Sequence, residues 1–117
     1  MSSFGPYSKA LRAGGFLFLS GQIGFNSQTQ KLEEGFYNQT LRALKNAEAI
    51  LESFGLSRHK VVKVVAYLTD MSAFEEFNIV YGEFFKDVEP KPVRSTVGVK
   101  ELPLGALIEL ELTAFDG

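Results

Sequence analysis

The residues with the clearest chemical potential in this chain are Arg94 and Glu109, which lie fifteen positions apart. Arg94 follows Pro90 and Pro92, which end any preceding helix because proline lacks a backbone N–H and has a fixed φ. A guanidinium presents a planar fork of donors that matches a carboxylate, so an arginine at the beginning of a strand can orient a small anionic substrate. Glu109 lies in the alternating segment 107–114, which predicts a second strand. If the two strands pair, an anion clamp and a proton-transfer group face one cavity.

Each of these charged side chains also has an ordinary structural interpretation. Arg94 could form a salt bridge at a sheet edge, although the small neighbours Ser95 and Thr96 leave room for a ligand. Glu109 could lie on the solvated face of its strand, since a catalytic glutamate needs partial burial to hold its pKa near the working pH.

Four other positions have the same two interpretations. Tyr7 follows the turn-forming pair Gly5-Pro6 and fits a core aromatic with a satisfied hydroxyl. Ser20 and Gly21 fit a strand terminus. Asn78 lies in a predicted helix, where asparagine is a mediocre helix former, and could reach either a neighbouring backbone group or a ligand.

The residue inventory narrows the chemistry. The chain has no cysteine, which excludes disulfides, thiolate catalysis and zinc–thiolate sites and fits a cytoplasmic protein. Its one histidine, His59, lies in a polar stretch, so neither a Ser-His-Asp triad nor a multi-histidine metal site is convincing. Neither a phosphate-binding loop nor a dinucleotide fingerprint is present. The sequence therefore predicts chemistry without a cofactor or a metal.

Length and composition predict a single domain spanning residues 1–117. A hydrophobic content of 45% and a charged content of 22% are ordinary for a globular protein. The longest apolar run, 61–68, is too short to span a bilayer, and the N-terminus lacks the pattern of a secretory signal. A net charge of −2 provides no global attraction for nucleic acid.

The remaining patterns predict the elements that must position these residues. Segments 7–12 and 16–20 form a hairpin around Ala13-Gly14-Gly15, and residues 28–35 form a loop. Apolar residues at helical spacing predict a helix over 36–54 that ends at Gly55. The β-branched run 61–68 predicts an inner strand covered on both faces.

A second amphipathic helix follows, with a capping box from Ser72 to Glu75 and an aromatic stripe of Phe74, Phe77, Tyr81 and Phe84. This order of elements predicts an α+β fold, in which two helices pack on one face of a mixed β-sheet. The opposite face would then carry exposed apolar residues, and an uncovered face of this kind predicts a homo-oligomer. The residues concerned are Phe16, Phe18, Phe25, Leu107 and Phe115.

Taken together, these segments resemble the RidA family, also called the YjgF/YER057c/UK114 family. The resemblance covers nearly the whole chain and rests on five blocks in the same order. They are Gly5-Pro6-Tyr7-Ser8, Phe18-Leu19-Ser20-Gly21-Gln22-Ile23, Leu68-Thr69-Asp70-Met71 with Phe77-Asn78 and Tyr81, Pro92-Val93-Arg94-Ser95-Thr96-Val97, and Leu102-Pro103-Leu104-Gly105-Ala106 with Ile108-Glu109-Leu110-Glu111.

The resemblance implies a chorismate-mutase-like fold, a homotrimer with ligand sites between subunits, and hydrolytic deamination of 2-imino acids to 2-oxo acids and ammonium. It implies that Arg94 binds the substrate carboxylate and that Glu109 positions or activates water. The pocket would be completed by Tyr7, Ser20, Gly21, Asn78 and Thr96.

Two features depart from the family pattern. Thr96 stands where many active members have cysteine, which changes the polarity of the pocket and removes any oxidation-dependent behaviour. Only four residues precede Gly5, fewer than usual, so we expect an edge strand or the mouth of the cleft to differ.

Two other functions stay open. A non-catalytic regulatory protein that binds small carboxylates would need the same arginine but not Glu109. An endoribonuclease or translation inhibitor is disfavoured because the chain is acidic and lacks a basic stripe with interleaved aromatics.

Overall fold

A computed structural model describes residues 5–117, so the four residues that precede Gly5 lie outside the described part. Most of the strands form one six-stranded sheet, and two helices pack against it. In chain order the elements are β1 (Ala10–Ala13), β2 (Phe16–Leu19), β3 (Gln22–Ile23), β4 (Phe25–Asn26), β5 (Lys31–Leu32), α1 (Gly35–Ser53), β6 (Val61–Leu68), α2 (Phe74–Phe84), β7 (Val93–Gly98) and β8 (Ile108–Phe115).

The predicted hairpin forms between β1 and β2. Its turn contains Gly14 and Gly15, whose φ values of 58° and 83° lie in the left-handed region that glycine adopts without a steric penalty. The order of helices and long strands confirms the sequence-based prediction. The segment 28–35 is the exception, because it contains β5, which pairs with β4 in a separate two-stranded sheet.

The sheet order is β1-β2-β8-β6-β7, and β3 pairs with β8 beyond the end of β2. Strands β6 and β7 are parallel, whereas the other pairs are antiparallel, so the sheet is mixed as predicted. A parallel pair needs a crossover connection, and α2 supplies it here. The strand of Arg94 does not pair with the strand of Glu109, as the hypothesis of a shared cavity required, because β6 lies between them.

The core lies between one face of the sheet and both helices. Alternate residues of β6 and β8 are fully buried there, together with apolar residues of α1 and α2. This arrangement confirms the prediction that both helices cover one face. The sheet contributes Val64, Ala66, Leu68, Ile108, Leu110 and Leu112, and the helices contribute Leu44, Leu51, Phe77, Val80 and Tyr81.

The other face of the sheet is uncovered and partly apolar. Phe16, Phe18 and Phe115 are all more than a third exposed, and the rings of Phe16 and Phe115 meet edge to face at 5.6 Å. The uncovered apolar face is therefore confirmed for these three residues. Phe25 is instead buried in a small separate cluster with Ile23 and Ala106.

Two local predictions are wrong. Strand β6 is an inner strand, but its outward residues remain partly exposed, so the described chain covers only one of its faces. The capping box from Ser72 to Glu75 is replaced by Asp70, whose Oδ1 accepts a hydrogen bond from the backbone N–H of Ser72 at 2.9 Å. A short 3-10 turn at 71–73 then leads into α2. Within residues 5–117, no helix combines the length and the apolar character needed to cross a membrane.

Candidate active site

Arg94 lies on β7, the edge strand, and points to the face of the sheet that the helices cover. Its register partner on β6 is Val64, which is fully buried beneath the helices. The Arg94 Cζ lies 5.0 Å from the ring centroid of Phe77 and 4.8 Å from that of Tyr81. The ring of Phe74 is 5.7 Å away. These rings hold the guanidinium by cation–π attraction.

The hydrogen-bond donors of Arg94 are not used by the rest of the described chain. None of its nitrogen atoms makes a hydrogen bond or an ion pair with another residue in 5–117. The other three arginines are all engaged in that way: Arg12 pairs with Asp116, Arg42 with Glu33 and Arg58 with Glu48. Arg94 therefore presents guanidinium N–H groups that have no partner among the described residues, and such a pair of parallel donors can bind a carboxylate.

Glu109 lies on β8 and points to the opposite, uncovered face. Its carboxylate lies directly against Gly21: a Cβ added to that glycine would be 2.1 Å from the Glu109 Oε2. No larger residue fits at position 21 without displacing the carboxylate. The glycine thus permits the close approach of a carboxylate to the backbone at the start of β3.

The environment of Glu109 suits a proton acceptor. Burial raises the pKa of its carboxyl above the usual range for glutamate, and the neighbouring negative charge of Glu111 raises the pKa further. Glu111 itself is exposed and accepts a hydrogen bond from the Tyr67 hydroxyl at 3.0 Å. The carboxylate of Glu111 is therefore engaged by Tyr67, whereas the carboxylate of Glu109 accepts no hydrogen bond from another side chain among the described residues.

The segment around Tyr7 is tied to the corner that contains Gly21. The hydroxyl of Ser20 donates to the backbone carbonyl of Ser8, and the backbone N–H of Ser20 donates to the carbonyl of Lys9 at 2.8 Å. Tyr7, which is half exposed, is therefore held beside Ser20 through its neighbour Ser8. The structure brings four predicted site residues to one end of the sheet, namely Tyr7, Ser20, Gly21 and Glu109.

The other two predicted residues lie on the side of Arg94. Thr96 is two residues further along β7, so its side chain shares the helix-covered face, and its buried hydroxyl has no hydrogen-bond partner among residues 5–117. Asn78 follows Phe77 on α2 and is exposed. Arg94, Thr96 and Asn78 therefore form a second group.

The seven predicted residues thus form two groups within one protomer. Arg94 is in register with Val64 and Glu109 with Tyr67, and these two positions of β6 project from opposite faces. The sequence-based hypothesis that both groups face one cavity within the chain is wrong. The segments that contain Arg94 and Glu109 do form strands, as predicted. The position of β6 between β7 and β8 could not be derived from local patterns.

Sequence reasoning assigned Phe77 and Tyr81 to a core stripe and missed their contact with Arg94. Their spacing of four residues places them on one face of a helix, yet nothing local shows that the parallel strand after the helix returns beneath that face. No cluster of three or more potential metal-ligating side chains occurs among the described residues.

Comparisons with known proteins agree in length and in fold. The profile of the family described as Endoribonuclease L-PSP matches residues 1–115. A RutC family protein of Aquifex aeolicus is 56% identical over 110 residues, which cover 94% of this chain and 88% of that protein. The 2-iminobutanoate/2-iminopropanoate deaminase of Dermatophagoides farinae is 41% identical over 108 residues, with coverages of 92% and 83%.

A solved structure gives the same result in three dimensions. The crystal structure of E. coli TdcF with bound serine superposes with a TM-score of 0.93 at 33% identity. The match covers 98% of this chain and 91% of that one.

Proposed function

Since the chain belongs to the RidA family, we propose that it hydrolyses reactive 2-imino acids such as 2-iminopropanoate and 2-iminobutanoate to 2-oxo acids and ammonium. The name of the Dermatophagoides farinae relative supports this substrate class. The serine in the TdcF structure supports a site for small α-carboxylates. The absence of cysteine fits a cytoplasmic location.

In this proposal the guanidinium of Arg94 binds the substrate carboxylate through two parallel hydrogen bonds. This contact leaves the adjacent C2 imine carbon accessible to water. Water oxygen bonds to C2 while Glu109 accepts one proton from that water, and the imine nitrogen takes up a proton. The amino nitrogen is then protonated from solvent, and the C–N bond breaks with its electron pair going to nitrogen, so that ammonia leaves. The remaining hydroxyl loses its proton to form the 2-oxo group, and the released ammonia takes up a proton to become ammonium. An imine is already electrophilic, so this hydrolysis needs no cofactor.

The active site would form between subunits of a homotrimer with a chorismate-mutase-like arrangement. One protomer presents Arg94, Thr96 and Asn78, and a neighbour presents Glu109, Gly21, Ser20 and Tyr7. Two observations support this assembly: the two groups leave opposite faces of the same sheet, and the face that carries Glu109 also exposes apolar side chains. A cyclic, head-to-tail contact of this face with the next copy of the trimer would bury these apolar side chains.

The observation that carries the catalytic interpretation is the environment of Glu109. A protein that only senses carboxylates requires Arg94 but has no use for a half-buried glutamate with a raised pKa. A general base of this kind typically contributes about 10²–10⁴-fold to a rate.

The family description also names an endoribonuclease, and the described residues offer little support for that activity. His59 lies exposed in a 3-10 turn, and the chain carries a net charge of −2. RNA cleavage therefore serves as an outcome to be measured beside deamination.

The test is a direct assay. The 2-imino acid is generated in situ by an amino-acid oxidase or a dehydratase, and the rate of 2-oxo acid release is followed with the wild-type protein, with Arg94→Ala and without protein. We expect acceleration by the wild type and a loss of at least about 30-fold in Arg94→Ala, because a charged hydrogen-bonded partner is removed. No acceleration by the wild type would overturn the proposal, and cleavage of RNA in that case would favour the endoribonuclease activity instead.

A further inference from the structure

We propose that Phe77 and Tyr81 of α2 form an aromatic cradle that positions Arg94 for carboxylate binding while leaving all of its hydrogen-bond donors free. This inference rests on the proposed function, since it explains how that function's arginine is held. In the RidA-type site proposed above, Phe77 and Tyr81 act as positioning residues and do not touch the substrate.

The first step concerns geometry. The Arg94 Cζ lies within about 5 Å of both ring centroids, inside the roughly 6 Å range in which the ring quadrupole attracts a cation. Phe77 is fully buried and Tyr81 is 8% exposed, so solvent does not compete for their faces. The two rings are 5.4 Å apart and tilted by 55°, which gives the guanidinium two walls rather than one.

The second step concerns the donors. A side chain fixed by an ion pair uses N–H groups on its partner, as Arg42 uses its Nε–H on Glu33. A guanidinium held by aromatic rings keeps its N–H groups available to a carboxylate, because the rings attract the cation without contributing a carboxylate or carbonyl acceptor. Arg94 combines a fixed position with an open fork, which lowers the entropy that the side chain loses on binding a carboxylate.

The third step concerns Tyr81. Its buried hydroxyl makes no hydrogen bond with another residue in 5–117, and burial raises its pKa to about 12, so it stays protonated at any working pH. The ring, not the hydroxyl, provides the contact with Arg94. The cradle therefore predicts that phenylalanine can replace tyrosine at position 81 and that leucine cannot.

The same helix offers a matched control. Phe84 lies one turn beyond Tyr81, is 9% exposed, and has its ring 5.3 Å from the Cζ of a different arginine, Arg58. Phe84→Leu removes an aromatic ring of similar burial and a cation–π contact of similar length, and Phe84 is not one of the rings that lie beside Arg94.

The experiment measures the mobility of Arg94 and the affinity for a carboxylate in the intact protein. The ¹⁵N relaxation of the Arg94 Nε–H gives its order parameter, and titration with 2-oxobutanoate gives a dissociation constant. We expect a rigid Nε in the wild type, in Tyr81→Phe and in Phe84→Leu, and a mobile Nε in Tyr81→Leu and Phe77→Leu. The dissociation constant should rise about five- to tenfold in the latter two variants, in line with the loss of one desolvated cation–π contact.

The two proposals fail in different ways. A rigid Arg94 in a wild-type protein that binds no carboxylate would overturn the proposed function and leave the cradle standing. An unchanged Arg94 order parameter in Tyr81→Leu, or an equal loss of affinity in Phe84→Leu, would overturn the cradle. Because kcat belongs to the step at Glu109, the loss should appear in KM with kcat nearly unchanged. A fall in kcat alone would also contradict a positioning role.

Discussion

Arg94 and Glu109 project from opposite faces of one sheet, with β6 between their strands. Val64 is the β6 residue beside Arg94, and Tyr67 is the β6 residue beside Glu109. Rotation of side chains cannot move either residue to the other face of the sheet. Within one protomer, the two side chains therefore cannot reach the same substrate atom. If the two residues serve one reaction, they must come from different copies of the chain.

A subunit-mixing experiment tests that consequence. Homo-oligomers of Arg94→Ala and of Glu109→Gln should each be inactive, whereas co-expressed mixtures should regain activity. If the oligomer is the trimer proposed above and it assembles at random, about one quarter of the sites then combine an intact Arg94 with an intact Glu109 from a neighbour. Activity is measured as 2-oxo acid release, and native mass spectrometry reports subunit exchange. Exchanged oligomers without recovered activity would show that each site belongs to one chain.

The pH profile tests the role of Glu109. Burial raises the pKa of Glu109, and the negative charge of Glu111 raises it further, because both disfavour the charged form of the carboxyl. Since Glu109 must be deprotonated to act as a base, kcat/KM should rise with pH through that raised pKa. Glu111→Gln removes the charge, so the acid limb should move to lower pH.

The control for this profile is Glu52→Gln, which removes an exposed carboxylate of α1 on the other side of the sheet. Its acid limb should coincide with that of the wild type. If Glu111→Gln does not shift the acid limb of the kcat/KM profile, that limb belongs to the titration of a group other than Glu109.

Substitution of Gly21 tests the contact between backbone and carboxylate. In Gly21→Ala the new Cβ would lie 2.1 Å from the Glu109 Oε2, so the carboxylate must move away. A displacement of about 1 Å in a catalytic group can cost roughly 10²-fold in rate. We expect a fall of that order in kcat with little change in the melting temperature, because the end of the Glu109 side chain is flexible.

Gly82→Ala is the matched control. A Cβ at position 82 meets no atom within 4 Å, and the residue lies inside α2. Alanine there should raise stability by up to about 1 kcal/mol through its better helix propensity and leave activity unchanged. Equal activities of Gly21→Ala and the wild type would argue against a role for Glu109 in its present position.

The segment that leads into β7 depends on Lys91. Its Nζ donates to the backbone carbonyls of Phe85 and Val88 at 3.0 and 2.9 Å, near the end of α2. Lys91→Met should lower the free energy of unfolding by about 1–2 kcal/mol, because these carbonyls lose a charged donor. Denaturant titration measures the change. Lys86→Met, which removes only an exposed pair with Glu83, should change stability by less than about 0.5 kcal/mol.

Much of the fold could be derived from local patterns. The strand over 61–68 and the helix that ends before Gly55 follow from side-chain periodicity, which the geometry of a single element imposes on its own residues. The hairpin follows from two glycines at a turn that requires positive φ. The start of α2 could not be derived in this way, because Asp70 and Ser72 are both capping residues. Only the path of the backbone makes Asp70 the cap of the 3-10 turn that precedes the helix.

The sequence by itself determined the order of elements, the uncovered apolar face at Phe16, Phe18 and Phe115, and the absence of the residues that thiolate or multi-histidine chemistry needs. Tertiary structure decided which strands are neighbours. It placed β6 between β7 and β8, set Gly21 against Glu109, and laid Arg94 on the rings of α2. The physical reason is that periodicity records which side of an element is buried. The identity of the partner, in contrast, depends on hydrogen bonds and packing between residues far apart in the chain.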